Sequence, residues 1–203
     1  MTAELTSRLN QILPRITAET FLSSEGIGKA IACYIFDYPA QEELAVRRHI
    51  EMMMNRLKSH HTDIDVLHLD LLDVVTKYLE TRKLLGRALE MQASKGDKAV
   101  LRALRGPLAA EKIRDFIAEA YRPAEADLFL ISGVGSVWPV LRAHSLLNCL
   151  HSVIGTTPLV MFYPGSFDGT TLRLFGRFET RTAKPGTNPY YRAIILIPGG
   201  TRS

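Results

Sequence analysis

The sequence predicts an α/β fold in which a mostly parallel β-sheet carries helices on both faces and has an antiparallel edge at its C-terminal end. Short apolar runs typical of buried strands alternate with segments whose apolar residues recur at helical spacing, the order that βαβ crossovers produce. The last two predicted strands follow each other without a helix, which favours antiparallel pairing there. The 203 residues fit a single domain, and 46% hydrophobic with 23% charged residues is ordinary globular composition.

The N-terminal part of the chain predicts two helices and two strands. Residues 2–13 place Leu5 and Leu9 on one helical face, and Pro14 then interrupts the pattern, so residues 1–20 are interpreted as a helical extension of the domain. The elements predicted next are a buried strand over 30–37, a helix over about 40–61 and a second strand over 64–71.

A long helical region is predicted from about 71 to 122. It contains breaker signals near Gly96 and at Gly106-Pro107, and its last piece repeats apolar residues at the spacing of an amphipathic helix. Because this stretch is too long for a simple crossover, we interpret residues 71–122 as a helical insertion beside the sheet, where a partner could bind.

The remaining elements are mainly strands. In order, they are a strand over 127–132, a helix over about 136–154 that follows a glycine-rich turn, a strand over 158–163, an alternating strand from 171 and a final strand over 190–197.

Composition and charge limit the classes of function. No apolar run approaches the roughly 18–20 residues of a membrane span, and the acidic Glu4 with no apolar run after it argues against a secretory signal, so we expect a cytoplasmic protein without membrane contact. Cys33 and Cys149 are expected to be inert buried thiols. The net charge of +4 comes from residues 155–203, which contain six basic and two acidic residues. This favours binding to a phosphate or to an acidic protein surface.

The glycine-rich turn Ser132-Gly133-Val134-Gly135-Ser136 is the first candidate site. It lies at the carboxyl end of a predicted buried strand, where α/β sheets bind ligands and helix N-termini attract anions. The spacing matches neither the P-loop nor the dinucleotide motif. Two interpretations stay open: an anion or ligand site, and a tight turn in which Ser136 is the N-cap of the next helix.

Polar residues on that next helix form a second candidate site. His144, Asn148 and His151 fall on one face, at i, i+4 and i+7. A metal site is conceivable, but an amide at i+4 is a poor zinc ligand, so we favour a hydrogen-bonded polar seam and predict no metal and no cofactor. Asp37 and Asp70, at strand ends, could bind Mg²⁺ or ribose, although a helix N-cap or first-turn role is the favoured interpretation for the acid after the second strand.

Basic residues alternate along the strand predicted over 171–181. Period two places Arg173, Arg177 and Arg181 on one face, opposite Leu172 and Leu174. The guanidinium groups could bind phosphate or carboxylate, or could simply protect a solvated edge strand from pairing with other molecules. Asp168 belongs to the turn that precedes this strand.

Four segments together carry a resemblance to a known family. They read Phe21–Gly28; Gly133–Pro139 with Leu141–His144 and Leu146–Asn148; Met161–Gly169 with Leu172–Arg177; and Tyr190–Ala193. In this order, within a chain of this length, the set resembles the BrxB family of bacterial BREX phage-resistance systems, from about residue 21 to 196.

The resemblance implies a cytoplasmic component of an antiviral system that acts with a large ATPase, a DNA methyltransferase and the alkaline-phosphatase-like protein PglZ. It implies an adaptor whose most direct partner is PglZ, and it brings no catalytic residues with it. The family segments coincide with the glycine-rich turn, the pair His144 and Asn148, and the arginines Arg173 and Arg177.

Three functions are therefore carried forward. The first is a non-catalytic adaptor of the defence complex, in keeping with the absence of a nucleophile–base pair or Walker lysine from the sequence. The second is a nucleotide- or nucleic-acid-binding module that uses the turn 132–136 and the basic C-terminal quarter, with DNA as a ligand. The third is a metal-dependent hydrolase that uses Asp37 and Asp70.

Overall fold

The computed structural model of the chain describes residues 1–23, 31–181 and 191–199. Five strands form a parallel sheet in the order β2-β3-β4-β1-β7. They are β1 (Ile31–Tyr38), β2 (Val66–Asp70), β3 (Leu128–Ser132), β4 (Leu159–Phe167) and β7 (Tyr191–Ile195). The α/β fold class with a mostly parallel sheet is confirmed.

The antiparallel part of the sheet grows from β4, which is longer than its neighbours. Its far end, Gly165–Phe167, pairs with β5 (Thr171–Leu174), and β5 pairs with β6 (Phe178–Arg181). This pair of strands agrees with the predicted antiparallel edge. The final strand β7, which the sequence predicts as part of this antiparallel edge, instead runs parallel to β1.

Helices cover both faces of the sheet, in keeping with the doubly covered architecture that buried parallel strands require. In chain order they are α1 (Ala3–Asn10), α2 (Ile12–Ile16), α3 (Glu19–Leu22), α4 (Glu43–His60), α5 (Leu71–Thr81), α6 (Leu85–Lys95), α7 (Asp97–Leu104), α8 (Ala110–Tyr121) and α9 (Ala143–Leu150). One core contains α1, α2 and α4, and the other contains α5, α8 and α9. Alternate residues of β1, such as Ile35 and Phe36, enter opposite cores.

The connections between strands fix where polar groups can meet. Helix α4 crosses from β1 to β2 on one face, whereas α5 to α8 and then α9 lead from β2 to β3 and from β3 to β4 on the other. The loops after β1 and β3 therefore leave the sheet on opposite sides of β4. Such a divergence creates a crevice at the carboxyl ends of the strands.

The predicted region 71–122 is divided more finely than its sequence suggests. Breaks near Gly96 and Gly106 are confirmed, and a further one occurs at Lys83, whose φ is +56°. Helices α5 and α8 place buried residues in the core, whereas α6 and α7 contain no fully buried residue. The part that stands away from the sheet is thus α6 and α7.

Two predicted elements are wrong in detail. The helix predicted over 136–154 is confined to α9, because the segment after Gly133 makes consecutive turns and Pro139 disfavours the helical conformation at the preceding residue Trp138, so the N-cap is Arg142 and not Ser136. The single strand predicted from 171 is the hairpin β5–β6, because Phe175 and Gly176 both adopt positive φ and turn the chain back.

The sequence also predicts that both cysteines are buried and that the chain contains no membrane span. Cys33 is buried in the sheet, whereas Cys149 is only half-buried on α9, so its predicted full burial is wrong. Burial raises the pKa of both thiols, which disfavours the reactive thiolate. Across the described ranges, the structure contains no helix with the length and apolar character to cross a membrane.

Candidate functional site

The glycine-rich turn follows β3 and faces the end of β2. Gly133 has a φ of +72°, and a Cβ at this position would overlap the Asp70 carboxylate, so a larger residue would be strained as well as crowded. Asp70 accepts a hydrogen bond from the Leu72 amide at 2.9 Å and is the N-cap of α5. The predicted N-cap role of this acid is confirmed.

Ser132 links Asp70 to His68 on β2. Its hydroxyl donates to Asp70 Oδ2 at 3.2 Å and lies 2.9 Å from His68 Nε2. A serine hydroxyl has one proton, so His68 Nε2 donates to the serine oxygen in the ring tautomer that leaves this proton for the carboxylate. Burial lowers the pKa of His68, which keeps the ring neutral near pH 7.

Arg47 extends these contacts across to α4. Its guanidinium donates to Ser136 Oγ at 2.8 Å and to Glu43 Oε1 at 2.8 Å, and it lies 3.9 Å from Asp70 Oδ2. Tyr38, at the end of β1, donates to Glu43 Oε2 at 2.6 Å. The hydrogen bond to Glu43 raises the pKa of Arg47, and burial followed by the adjacent Glu43 charge raises the pKa of Tyr38.

These side chains form one connected set at the carboxyl ends of β1, β2 and β3. We call it the sheet-end network; its members are Tyr38, Glu43, Arg47, His68, Asp70, Ser132 and Ser136. Its geometry differs from a hydrolytic triad, in which histidine lies between serine and carboxylate. Here Ser132 is in the middle, and only 4% of its surface is exposed.

Asp37 is the other acid that the sequence singled out. Arg8 Nη2 donates to its carboxylate at 2.6 Å, and the Phe167 amide donates to its second oxygen at 3.0 Å. Arg8 also donates to the carbonyl of Ile197. Asp37 thus ties helix α1 to the end of β4. Among the described residues, no group of three or more His, Cys, Asp or Glu side chains is placed to hold a metal ion.

A surface cavity of about 300 Å³ lies between the start of α9 and the β5–β6 hairpin. We call it the hairpin pocket; it is lined by Trp138, Arg142, Ala143, His144, Tyr163, Leu172, Leu174, Arg177, Phe178 and Glu179. The buried side chains Tyr163, Leu172 and Leu174 contribute an apolar floor. Trp138 and Phe178 form an aromatic wall, with ring centroids 4.3 Å apart.

The predicted polar seam on α9 borders this pocket. Asn148 Nδ2 lies 3.0 Å from His144 Nε2, and Asn148 O lies 2.6 Å from His151 Nδ1. The amide donates, so His144 Nε2 accepts, which engages the lone pair that a metal would need. Burial lowers the pKa of His144, and this favours its neutral form.

The arginines predicted to share one face of a single strand over 171–181 lie on different elements, because this segment is the β5–β6 hairpin. Arg173 on β5 is held by Asp168 Oδ2 and Glu179 Oε1, both at 2.8 Å, while Arg177 lies in the hairpin turn. Asp168 also accepts from Thr170 and Thr171, and the hydrogen bond from Arg173, with those from Thr170, holds its pKa well below the usual range. The side chain of Arg181 lies outside the described residues.

The sequence-predicted site residues therefore divide between two places. Ser132 and Ser136 belong to the sheet-end network, and Gly133 lies against its member Asp70, whereas His144 and Arg177 line the hairpin pocket. The other members are distributed around them: Gly135 packs against Phe175 and Pro164, Asn148 contacts His144, and Asp168 with Arg173 forms the ion pair of the hairpin.

Sequence reasoning missed several members of both sets. Glu43 and Arg47 are spaced i, i+4 on a helix that directly follows a strand, a signal that could have found them. Trp138 and Arg142 stand within the segments of the family resemblance, but only the hairpin turn brings Phe178 to them. Residues 24–28 and Tyr190 of the segments that carry the resemblance lie outside the described residues, as do Lys184 and Arg202 of the basic C-terminal quarter.

Comparisons with known proteins agree on one family. The family model "BREX protein BrxB" matches residues 67–196. The chain is 37% identical over 191 residues to a BREX protein BrxB of Escherichia coli O9:H4 (strain HS), covering 94% of this chain and 90% of that protein. It is 36% identical over 195 residues to a BREX protein BrxB of Bacillus cereus (strain H3081.97), covering 95% and 97%.

No solved structure matches the chain significantly. The family match covers more than half of the chain, and both relatives align over nearly their full length. The chain therefore belongs to the BrxB family of BREX systems, and it is a component of that type of phage-defence system.

Proposed function

We propose that the protein is a non-catalytic adaptor of the BREX system, that it acts in the cytoplasm, and that its direct partner is PglZ. The observation that carries the proposal is that the carboxylates at the carboxyl ends of the strands already have bonding partners within the protein. In α/β enzymes the carboxyl ends of the strands hold the reacting groups. Here the carboxylates at those ends are engaged: Asp70 caps α5, and Asp37 is paired with Arg8.

Ser132 and His68 support the same proposal. A serine nucleophile needs a base that accepts its proton, and a neutral histidine is suited to that role only when its nitrogen faces the hydroxyl as an acceptor. Ser132 instead donates to Asp70, and it is buried beneath the turn. An arrangement of this kind orients β2, β3 and the glycine-rich turn relative to one another.

Nucleotide or nucleic-acid binding is the second candidate, favoured by the exposed guanidinium groups of Arg142 and Arg177. Two observations weigh against it. The glycine-rich turn does not open a helix, since α9 begins only at Ala143, so no helix dipole strengthens an anion site there. Arg173 is neutralised by two carboxylates.

Co-purification tests the adaptor proposal directly. The full chain and PglZ from the same defence cluster are mixed and separated by size, with the ATPase and the methyltransferase as parallel partners. We expect a stable complex with PglZ alone. Failure of PglZ to co-elute would contradict the proposed partner, and a gel shift with DNA that weakens steeply with salt would favour the second candidate.

The non-catalytic part of the proposal needs a separate measurement. Ser132→Ala removes the only hydroxyl between His68 and Asp70, and we expect a small loss of stability with phage resistance and PglZ binding retained. If resistance disappears while PglZ binding and the melting temperature match the wild type, Ser132 takes part in chemistry and the non-catalytic proposal is wrong.

A further inference from the structure

The hairpin pocket contains two cationic side chains that no acidic side chain of the described residues neutralises. Arg142, at the N-cap of α9, and Arg177, in the hairpin turn, both line it and are both exposed. Within the described part of the chain, no carboxylate lies within ion-pair distance of either guanidinium. The adjacent Arg173 shows the contrast, since it has two acidic partners.

An apolar wall lies beside these charges. Phe178 is 43% exposed, although its ring packs against Trp138 at a tilt of 31°, and Phe175 contacts both rings edge-on. Large aromatic side chains that remain partly exposed next to arginine are the residue types enriched where proteins bind each other. The cavity of about 300 Å³ accommodates one or two side chains rather than a folded element.

We propose that the hairpin pocket receives a short segment of the partner protein in which an apolar side chain stands next to a carboxylate. The apolar side chain packs against Trp138 and Phe178, and the carboxylate accepts hydrogen bonds from Arg142 and Arg177. Guanidinium groups favour this ligand because their planar donors match the two oxygens of a carboxylate. The inference rests on the adaptor function and adds the place and chemistry of the contact.

The surroundings favour a peptide over a nucleic acid. Glu179 lines the same pocket, and Asp168 lies next to it along the hairpin, joined through Arg173. A phosphate backbone needs a continuous track of cations, and these acids interrupt one. A single carboxylate needs only Arg142 and Arg177, which have no acidic partner among the described residues. His144 and Tyr163 also line the pocket; burial lowers the pKa of His144 and raises that of Tyr163, which favours the neutral form of both.

Two variants and a matched control test the inference against purified PglZ by biolayer interferometry. Arg142→Glu/Arg177→Glu reverses both charges, and Phe178→Ala shortens the apolar wall. Arg48→Glu/Lys58→Glu makes the same change in net charge at exposed positions on α4, the helix that covers the other face of the sheet. All three change exposed side chains, and thermal melts verify that each variant folds. If the double reversal does not fold, Arg142→Gln and Arg177→Gln replace it.

The expected result is a loss of affinity confined to the pocket. The double reversal should bind PglZ at least about tenfold more weakly, because it places carboxylates opposite the partner's acid. Phe178→Ala should weaken binding by about fivefold, while the control remains within about twofold of the wild type. If both pocket variants bind like the wild type, the pocket inference is overturned and the adaptor function stands.

A second readout separates the two proposals when PglZ does not bind at all. Overlapping synthetic peptides that cover the other proteins of the defence cluster are probed with the wild type and the double reversal. Capture of peptides that combine an acidic with an aromatic or aliphatic residue, lost in the reversal, supports the pocket and moves the adaptor to a different partner. Capture of none overturns it. Binding of fluorescein-labelled oligothymidine that the reversal abolishes overturns it in favour of nucleic acid.

Discussion

The sheet-end network and the hairpin pocket contain similar residue types, but they differ in whether the arginines have acidic partners among the described residues. Both combine arginine, a carboxylate, histidine and an aromatic side chain. The network lies at the carboxyl ends of the strands beside α4, whereas the pocket lies beside α9, which covers the other face of the sheet. In the network each charged group is bonded to another member, as Arg47 is to Glu43. In the pocket Arg142 and Arg177 have no such partner among the described residues.

This difference distinguishes polar residues that stabilise the fold from polar residues that can bind a partner. A guanidinium that is held between fixed carboxylates positions strands and helices, and a ligand would have to displace those bonds to reach it. A guanidinium that faces a cavity beside an apolar wall can bind a new partner without that loss. Position at the carboxyl ends of a parallel sheet is therefore weaker support for a binding site than the state of the hydrogen bonds there.

The largest expected effect comes from breaking a pair at the sheet end. Arg8→Ala removes the cation from Asp37, whose carboxylate is mostly buried against Phe167. An unpaired buried charge costs about 3–5 kcal/mol, so the free energy of unfolding in urea should fall by that amount. Arg48→Ala, an exposed α4 position, is the control and should change stability by less than about 0.5 kcal/mol.

A loss below about 1 kcal/mol for Arg8→Ala would contradict the view that paired charges at the ends of the strands serve the fold. It would mean that the pair behaves like an exposed surface salt bridge, that its carboxylate is free to accept another ligand, and that Asp37 should be reconsidered as a binding residue.

The next effect concerns the attachment of the hairpin to the sheet. A Cβ at Gly165 would overlap the carbonyl oxygen of Arg173 and lie 3.1 Å from the Cα of Leu174, both on β5. Gly165→Ala should separate β5 from β4, cost about 1–3 kcal/mol and weaken PglZ binding, because the pocket floor moves with β5. Gly86→Ala on α6 meets nothing within 4 Å and should be neutral or slightly stabilising.

The outcome separates two views of the pocket. Weakened folding with unchanged PglZ binding would show that the hairpin contributes stability alone, and the partner would then have to bind elsewhere. Weakened binding at a temperature where Gly165→Ala remains folded would show that the position of β5 matters for recognition.

Much of the fold could be predicted because its cause is local. The run 30–37 is apolar on both faces, as a central parallel strand must be, and β1 lies in the interior of the sheet. The spacing of Val46, Ile50, Met53 and Leu57 gave α4, and all four side chains are buried. Strong periodicity over several turns leaves few alternatives to a helix.

The elements that sequence reasoning missed depend on backbone conformation that side-chain patterns do not encode. The alternation from 171 onward continues through Phe175 and Gly176, where positive φ reverses the chain, so a hairpin reads like one long strand. The turns between Gly133 and Arg142 likewise include apolar residues such as Val137 and Leu141, which look helical by spacing but pack into the core from a loop.

The candidate sites were predictable only in part for a related reason. Residues adjacent along the chain, such as Ser132 to Ser136, could be grouped from sequence. The partners Arg47 and Asp70 reach them from other elements, and the pocket combines a loop, a helix start and a hairpin. The sequence contains no short-range signal for such long-range contacts.

Asp70 should show a smaller effect that distinguishes a cap from a catalyst. Asp70→Ala removes the acceptor for the Leu72 amide, and loss of an N-cap costs about 1 kcal/mol. Asp73→Ala, in the same first turn but exposed, is the matched control and should cost only a few tenths of a kcal/mol. Chemical denaturation measures both, and the comparison fails if the two variants are equally stable.

The smallest expected effect is a dependence of hairpin stability on acid. Arg173 holds the pKa of Asp168 below its usual range, so the folded state binds this proton less tightly than the unfolded chain does. The stability contributed by Asp168 is therefore fully present above about pH 4, near the pKa of an unpaired aspartate, and is lost as the pH falls toward the lower pKa of the folded state.

Arg173→Gln should raise the pKa of Asp168 and reduce this loss of stability in acid. Nuclear magnetic resonance titration of the carboxyl carbon of Asp168 measures the change, with Arg177→Gln as the control, since Arg177 has no carboxylate partner among the described residues. An unchanged titration in Arg173→Gln would mean that Arg173 is not held by Asp168 in solution, and Arg173 would then join Arg142 and Arg177 as an arginine open to a partner.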